Sequence, residues 1–421
     1  MHTRELSTYI KDGKLKEQLL DIYLDKDRLA YQTNRYLDAL THYEELFGEA
    51  DVQIISAPGR TEVGGNHTDH QHGQVLAASI NDDAIAIVSA NESGLIRVKS
   101  EGYDMITLAS NDTEKQDAEE GTSLALLKGI LACTREKGYR TGSFDAYITS
   151  DVLGGSGLSS SASIEVGMGL ILKTLFEFPV TMEHIALLSQ YSENHYNGLN
   201  CGIMDQFIIA VGKKNTAIAL DCNTLAYEYA PLELGDWRFV VMNTNKVRKL
   251  ADSKYNERRS QCEFSLDVLI GKGFKIQSLC QLTPAMWEEA KQYITDPVLQ
   301  RRVKHCVFEN QRVLDAVAAL KANDLQKLGA LLKASHQSLK DDYEVTGIEL
   351  DTLAETAWKQ EGCLGARMTG AGFGGCAIAL VHKDKVDAFI ENVQKEYTAK
   401  IGYAAGFFAC ESGDGVARVN L

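Results

Sequence analysis

The stretch VLGGSGLSSSASIEV, residues 152–166, carries a strand-like run into a long helical pattern by way of Gly154, Gly155, Ser156 and Gly157. Glycines let the backbone turn tightly there. The helix that begins among Leu158, Ser159, Ser160 and Ser161 presents unpaired amides and a partial positive charge at its N-terminus, which suits an anion. The serine hydroxyls can cap the helix, touch phosphate or ligate magnesium. No G-K-S/T closes the loop and G-x-G-x-x-G is not matched, so neither the Walker nor the dinucleotide pattern applies. On this stretch alone, a serine-capped turn without a ligand fits equally well.

At 421 residues the chain exceeds the size at which one core stops growing, so two domains are expected. Hydrophobic residues make up 44% and charged residues 24%, an ordinary globular balance. The net charge of -15 comes with no basic tract, which argues against nucleic acid or anionic membrane as partners. The opening MHTRELSTYIKDGKLKEQLL is charged throughout and predicts no secretion signal. No segment approaches the roughly 20 apolar residues of a membrane span. Nine cysteines, scattered from Cys133 to Cys410 without a C-x-x-C pair, read as reduced thiols of a cytoplasmic protein. Nothing in the sequence specifies an oligomeric state.

Residues 1–45 read as a helical extension for packing or oligomer contact, with no chemistry of its own. Strands are predicted at 52–58, 84–90, 96–100 and 145–152, then helices from Leu158 to about Phe176, over about 181–195 and across DQFIIAVG, and a strand at TAIALDC. Beyond about 225 a strand at 238–245 precedes a helical stretch, 252–341, and strands return at LGARMT, CAIALV and GFFACES. The expected organisation is α+β, with domains over 46–225 and 226–421 behind the extension.

Three further stretches carry chemistry. SENHYNGLNCGIMDQF (192–207) sets Glu193 and Asp205 on either side of Asn-Gly and Cys-Gly breaks, so both can reach one site. Asp205 lies in an apolar run, where a carboxylate is either a paired structural charge or a catalytic group. LGARMTGAGFGGCAIALV (364–381) is dense in glycine, which lets backbone approach another element or a ligand closely. GRTEVGGNHTDHQHG (59–73) leaves two chemistries open: a metal site from His67, Asp69, His70 and His72, or a pocket for a polar, uncharged molecule.

Taken in order, GRTEVGGNHTDH (59–70), GSGLSSSAS (155–163) and GARMTGAGFGG (365–375) resemble the three motifs of the GHMP kinases, with the nearest likeness to the galactokinases. CGIMDQF (201–207) and NTNKVRKLADSKYNERRSQCE (243–263) extend the likeness from about residue 50 to the end. The resemblance implies a two-domain α+β fold, with a ribosomal-protein S5 domain 2-like N-terminal domain and a ferredoxin-like C-terminal domain. It also implies ATP-dependent phosphorylation of galactose at its anomeric hydroxyl to galactose 1-phosphate, with Mg2+. Carried over residue by residue, Asp205 would take or orient the C1 hydroxyl proton and Arg60 would stabilise charge on the moving phosphoryl group. Glu62, Asn66, His67, Thr68, Asp69, Gly202 and Tyr255 would hold the sugar. Gly154, Gly155, Ser156, Gly157, Leu158, Ser159, Ser160 and Ser161 would cradle the phosphates of ATP, with Ser161 and Glu193 on magnesium, a cation that takes hard oxygens. A sugar sensor without turnover would lack Asp205 or Arg60, and both are present.

The chain departs from the galactokinase pattern in places. Glu62 and Asn66 stand where that pattern has asparagine and glutamate; His70 replaces tyrosine, Gly64 isoleucine and Leu153 proline. In the family the glutamate matching Asn66 belongs to the C6 end of the sugar, so a neutral amide removes a repulsion against a C6 carboxylate. A galacturonate 1-kinase or amino-sugar kinase is therefore the alternative, unless Glu62 restores the carboxylate. Given the other motifs, 59–73 reads as a sugar pocket, because Asn66, His67 and Asp69 offer dense donors and acceptors. His195, the best outside ligand for a transition metal, would meet a magnesium site, and magnesium avoids imidazole. Arg258 and Arg259 read as a solvated helix face.

Overall fold

A computed structural model describes all residues except 153, 155, 156 and 247–250, and the side chains of 251–253 also lie outside it. The helices are α1 (Thr3–Lys11), α2 (Lys16–Tyr23), α3 (Leu29–Phe47), α4 (Ser123–Glu136), α5 (Ser160–Phe176), α6 (Met182–His195), α7 (Met204–Val211), α8 (Ala251–Gly271), α9 (Pro284–Ala290), α10 (Pro297–Lys321), α11 (Leu325–Ser338), α12 (Gly347–Ala357) and α13 (Val386–Ile401). The strands are β1 (Gln53–Gly64), β2 (Gln74–Asn91), β3 (Leu95–Ser100), β4 (Ile106–Ala109), β5 (Ser143–Ser150), β6 (Thr216–Asp221), β7 (Tyr227–Pro231), β8 (Trp237–Asn243), β9 (Cys363–Thr369), β10 (Cys376–His382), β11 (Gly406–Cys410) and β12 (Ala417–Arg418).

The first sheet runs β12-β1-β2-β5-β3-β4, with β6 on β2 and β7 on β6, and every pairing is antiparallel except β3 with β5. The layering is set by β2, whose residues are buried along most of its length, so alternate side chains serve opposite faces. Ala84, Ala86 and Val88 join a core with Val166, Ile185 and Phe207 of α5, α6 and α7. Ile85 and Ile87 point the other way and meet Leu6, Tyr36 and Leu40 of α1 and α3. The N-terminal helices are therefore a packing layer, and each fully buried Leu or Ile contributes roughly 1.5–3 kcal/mol.

The second sheet, β11-β8-β10-β9, is antiparallel. Counted along the chain that is the order 4-1-3-2, with helices between its first and second and its third and fourth strands, the ferredoxin-like split βαβ arrangement. Val240, Met242, Ala377 and Ala379 face the helices, whereas Phe239, Val241 and Ile378 join Val63, Leu76, Val152 and Leu158 of the first half in a shared core. The two halves are thus packed together, and the glycine loop at 157–159 lies at their junction.

The strand expected at 52–58 continues to Gly64, and β2 begins at Gln74, so the 59–73 motif is the end of a long hairpin. The helices α4, α12 and α13 and the strands β4, β7 and β12 were not among the expected elements. Among the described residues no helix is long and apolar enough to cross a membrane.

Candidate active site

Asp205 stands in the first turn of α7, where the helix N-terminus favours a carboxylate. Arg60, on β1, grips it with both arms of its guanidinium: Nε to Oδ1 and Nη2 to Oδ2, each 2.8 Å. The third nitrogen donates to the Gly157 carbonyl at 2.6 Å, and Ser159 donates its hydroxyl to Asp205. Ser159 is in the left-handed region, φ 61°, a strained conformation that turns its side chain from the helix start toward Asp205. Arg60 itself is buried, and although burial disfavours its charge, Asp205 holds its pKa above the ordinary value.

Around this pair is a cleft of about 210 Å3. Arg60, Glu62, Asn66, His67 and Asp69 form one wall, Gly157, Ser159, Ser160 and Ser161 a second, and Gly202, Asp205 and Tyr255 a third. Gly202 is required by space: a Cβ there would collide with the Asp69 carboxylate. His67 has φ 64° and its Nε2 lies 3.1 Å from the Ala371 carbonyl, while its ring packs on Tyr255 and Tyr343. Burial pushes the His67 and His70 pKa values down, His70 to about 3, so both rings are neutral. Burial also raises Asp69 to about 6 and Glu62 to about 8, the latter against the pull of Arg367 and Arg60.

Not every expected residue lines the cleft. Thr68 is fully buried and spends its hydroxyl on the Gly65 and Gln74 carbonyls, each at 2.7 Å, closing the turn of the motif. Leu158 is a core residue whose carbonyl accepts from the Arg60 amide at 3.1 Å. Gly154 is exposed and outside the lining, as is buried Glu193; Gly155, Ser156 and the departure at Leu153 lie outside the described residues.

Comparison with known proteins brings the same stretches forward. Residues 41–90 match the galactokinase galactose-binding signature, 125–213 the GHMP kinases N terminal domain and 316–399 the GHMP kinases C terminal region. The chain is 45% identical to a galactokinase of Clostridium beijerinckii over 90% of its own length and 97% of that protein. The chain belongs to the galactokinase family of the GHMP kinases. It is 46% identical to a galactokinase of Ligilactobacillus salivarius over 89% of its length and 97% of that protein. The crystal structure of Lactococcus lactis galactokinase complexed with galactose superposes with a TM-score of 0.88 at 43% identity, covering 91% of this chain and 99% of that one. A mevalonate kinase structure, at 19% identity and TM-score 0.60, shares the fold.

Against the galactokinase pattern, the Glu62/Asn66 exchange keeps both groups in the cleft. Asn66 Nδ2 donates to Glu62 Oε2 and, at 2.6 Å, to the Gly370 carbonyl, whose own amide donates to Glu62 at 3.2 Å. A carboxyl group thus still lines the pocket beside Asn66, and the galactose-binding signature and the galactokinase relatives do not favour the galacturonate or amino-sugar alternative. Gly370 and Ala371 come from the third motif, and a Cβ on Gly370 would stand 2.8 Å from the Gly157 carbonyl, so the glycine-dense loops touch backbone to backbone.

The transition-metal reading fails, since among the described residues no three His, Cys, Asp or Glu side chains are grouped to hold a metal. Magnesium is different. Glu193 Oε2 is buried without a hydrogen-bond partner, and so is Oε1 of Glu165, whose pKa burial and Glu193 together push well above the ordinary value. Unsatisfied hard oxygens beside the phosphate-loop helix fit a hard divalent cation.

Several supporting residues carry no signal in the sequence. Arg258 is not on a solvated face: it is buried, donating to the Tyr343 and Glu344 carbonyls at 2.7 and 3.2 Å. The carbonyls that end the helical turn Leu339–Tyr343 need donors, and they lie about 85 positions along the chain, where a charge pattern along one helix does not reveal them. Arg259 donates to the Asn200 carbonyl at 2.7 Å and pairs with Glu263. Helix α10 braces the sugar motif from behind: His305 Nε2 meets the Asn66 carbonyl at 3.0 Å, Glu309 accepts from the Gly65 amide at 3.0 Å, and Asn310 from the Gln74 amide at 2.7 Å. These residues lie at i, i+4 and i+5 in a helix whose partner segment is some 240 positions away, so no local signal marks them.

Proposed function

We propose that the protein transfers the γ-phosphoryl group of ATP to the anomeric hydroxyl of galactose, giving galactose 1-phosphate and ADP. The observation that carries this is the Arg60–Asp205 pair at 2.8 Å, which faces the polar wall of Asn66, His67 and Asp69 and the phosphate loop at once. The Asp205 side chain there can accept or orient the C1 hydroxyl proton as the oxygen bonds phosphorus and the bond to ADP breaks. Arg60 holds Asp205 through two parallel bonds and places positive charge where negative charge gathers. Gly202 and Tyr255 close the sugar wall. The 154–161 loop, with the N-terminus of α5, receives the phosphates. Ser161 and Glu193 would hold Mg2+, which neutralises phosphate charge when bound. The odd cysteine count and acidic charge support a cytoplasmic setting.

The test is ATP consumption by the purified protein with magnesium against galactose, galacturonate, N-acetylgalactosamine and glucose, with phosphorus NMR of the product. Galactose 1-phosphate as the main product is expected; turnover confined to another sugar would overturn the reading. A pH dependence follows from Asp69. Its raised pKa, about 6, means the carboxylate that accepts sugar hydroxyls is lost as pH falls through that value. The KM for galactose should therefore rise about tenfold for each unit below pH 6, measured at saturating ATP. A flat KM between pH 7 and 5 would remove Asp69 from the sugar contacts.

A further inference from the structure

The N-terminal extension does more than cover a sheet face. Arg28, Tyr31, Gln32 and Arg35 recur at i, i+3, i+4 and i+7, the spacing of one helical face, from the cap of α3 into its second turn. All of them converge on one carboxylate, Asp151. Tyr31 OH reaches Oδ1 at 2.7 Å; Gln32 Nε2 reaches Oδ2 at 2.8 Å, and Arg28 Nη2 and Arg35 Nη1 reach it at 3.2 Å. Asp151 follows β5 and is the residue from which the 152–161 loop departs.

Its backbone is held as firmly. The Asp151 amide donates to the Asp83 carbonyl at 2.9 Å, and Arg35 Nη2 donates to that same carbonyl at 2.7 Å and to Thr149 O at 3.0 Å. The Asp83 side chain in turn accepts from Arg35 at 2.8 Å, from Tyr23 at 3.0 Å and from Ser56. At the far end of the loop, the Arg60 amide fixes the Leu158 carbonyl. One end of the loop is thus anchored by the catalytic strand and the other by α3.

We propose that α3 is a positioning element for the nucleotide: through Asp151, its polar face sets the take-off of the phosphate loop and with it the affinity for ATP. This rests on the reading of that loop as the ATP site. Displacing a bound group by an ångström costs large factors in rate or binding, so a fixed loop entry has a kinetic signature. A purely structural layer would change stability without separating one substrate from the other.

The experiment compares Asp151→Asn, Tyr31→Phe, Ser161→Ala and, as a control, Arg4→Ala, which breaks an exposed ion pair with Glu49 in the same extension. KM for ATP, KM for galactose and kcat are measured, with galactose binding by calorimetry without nucleotide. Asp151→Asn loses an acceptor of charge-assisted bonds and should raise the ATP KM about tenfold; Tyr31→Phe removes one mostly exposed bond and should raise it about threefold. Galactose affinity should stay within about twofold in both, and the control should match wild type. Tyr31→Phe keeps the test open if Asp151→Asn folds poorly. Unchanged ATP KM in the α3 variants, or equal shifts for ATP and galactose, overturns the proposal. If Ser161→Ala raises the ATP KM while the α3 variants do not, this proposal alone fails; if Ser161→Ala is also silent, the loop is not the ATP site and the functional reading fails with it.

Discussion

Asp205→Asn is expected to lower kcat about 10³-fold while galactose affinity stays within about threefold of wild type. The carboxylate has two tasks that an amide cannot share. It accepts two parallel bonds from Arg60 and one from Ser159, and it carries the negative charge that draws the hydroxyl proton. An amide presents N–H groups to a guanidinium that has only donors, so the pair is broken as well as neutralised. Arg60 would then be buried without its counter-charge and free to turn from the phosphoryl path. The sugar contacts on Asn66, His67 and Asp69 belong to a different strand and loop, which is why binding survives. The check is kcat from a coupled ADP assay together with the galactose Kd by calorimetry. A loss below tenfold would remove Asp205 from the proton's path.

Glu309→Gln should cost about 3 kcal/mol of unfolding free energy and weaken galactose binding with it. Glu309 is fully buried and accepts from the Gly65 amide at 3.0 Å, Ser335 Oγ at 2.6 Å and Arg312 Nε at 2.7 Å, with Arg367 Nη1 at 3.4 Å. Arg367 is fully buried too. A glutamine offers one acceptor and turns an NH2 toward these donors, leaving Arg367 charged and uncompensated. Because Gly65 opens the turn that bears Asn66, His67 and Asp69, the loosened strut reaches the sugar wall. Burial pushes the Glu309 pKa up, but Arg312 and Arg367 pull it well below the usual carboxylate range. A depressed folded pKa means this stabilisation is complete above the ordinary carboxylate pKa and fades as pH falls toward the folded value. Denaturant unfolding at pH 7 and pH 4 reads both effects; a variant as stable as wild type at pH 7 would show the cluster to be dispensable.

What was legible in the sequence is what repeats at short range. The glycine- and serine-dense stretch before α5, the alternating run of β3, the short continuous apolar runs of β6 and β10, and the apolar spacing of α6 and α7 all carry their signal locally. The sequence pattern ends β1 at residue 58, because Gly59, Arg60 and Glu62 do not read as an apolar run, yet every one of those positions is buried. The Glu62/Asn66 exchange showed the opposite limit. Both residues were visible, but their direct bond, which decides whether the carboxyl group has left the pocket, depends on the hairpin's curl and on Gly370. Arg258 and Glu309 were hidden for the same reason, since their partners are backbone groups remote in sequence.

The last strand has a bearing on how the chain is made. β12 pairs with β1, Ile55 opposite Arg418, and just before it the Asn81 amide bonds Glu411 O at 3.1 Å and the Gly413 amide bonds Ser79 O at 3.1 Å. During synthesis on the ribosome, the first sheet therefore waits for residues that emerge more than 300 positions later. Until then its β1 edge is open, and an unpaired edge invites pairing with another nascent chain. Folding from the N-terminus onward cannot finish as a sequence of separate units; the two halves must close together, on a slow, long-range contact.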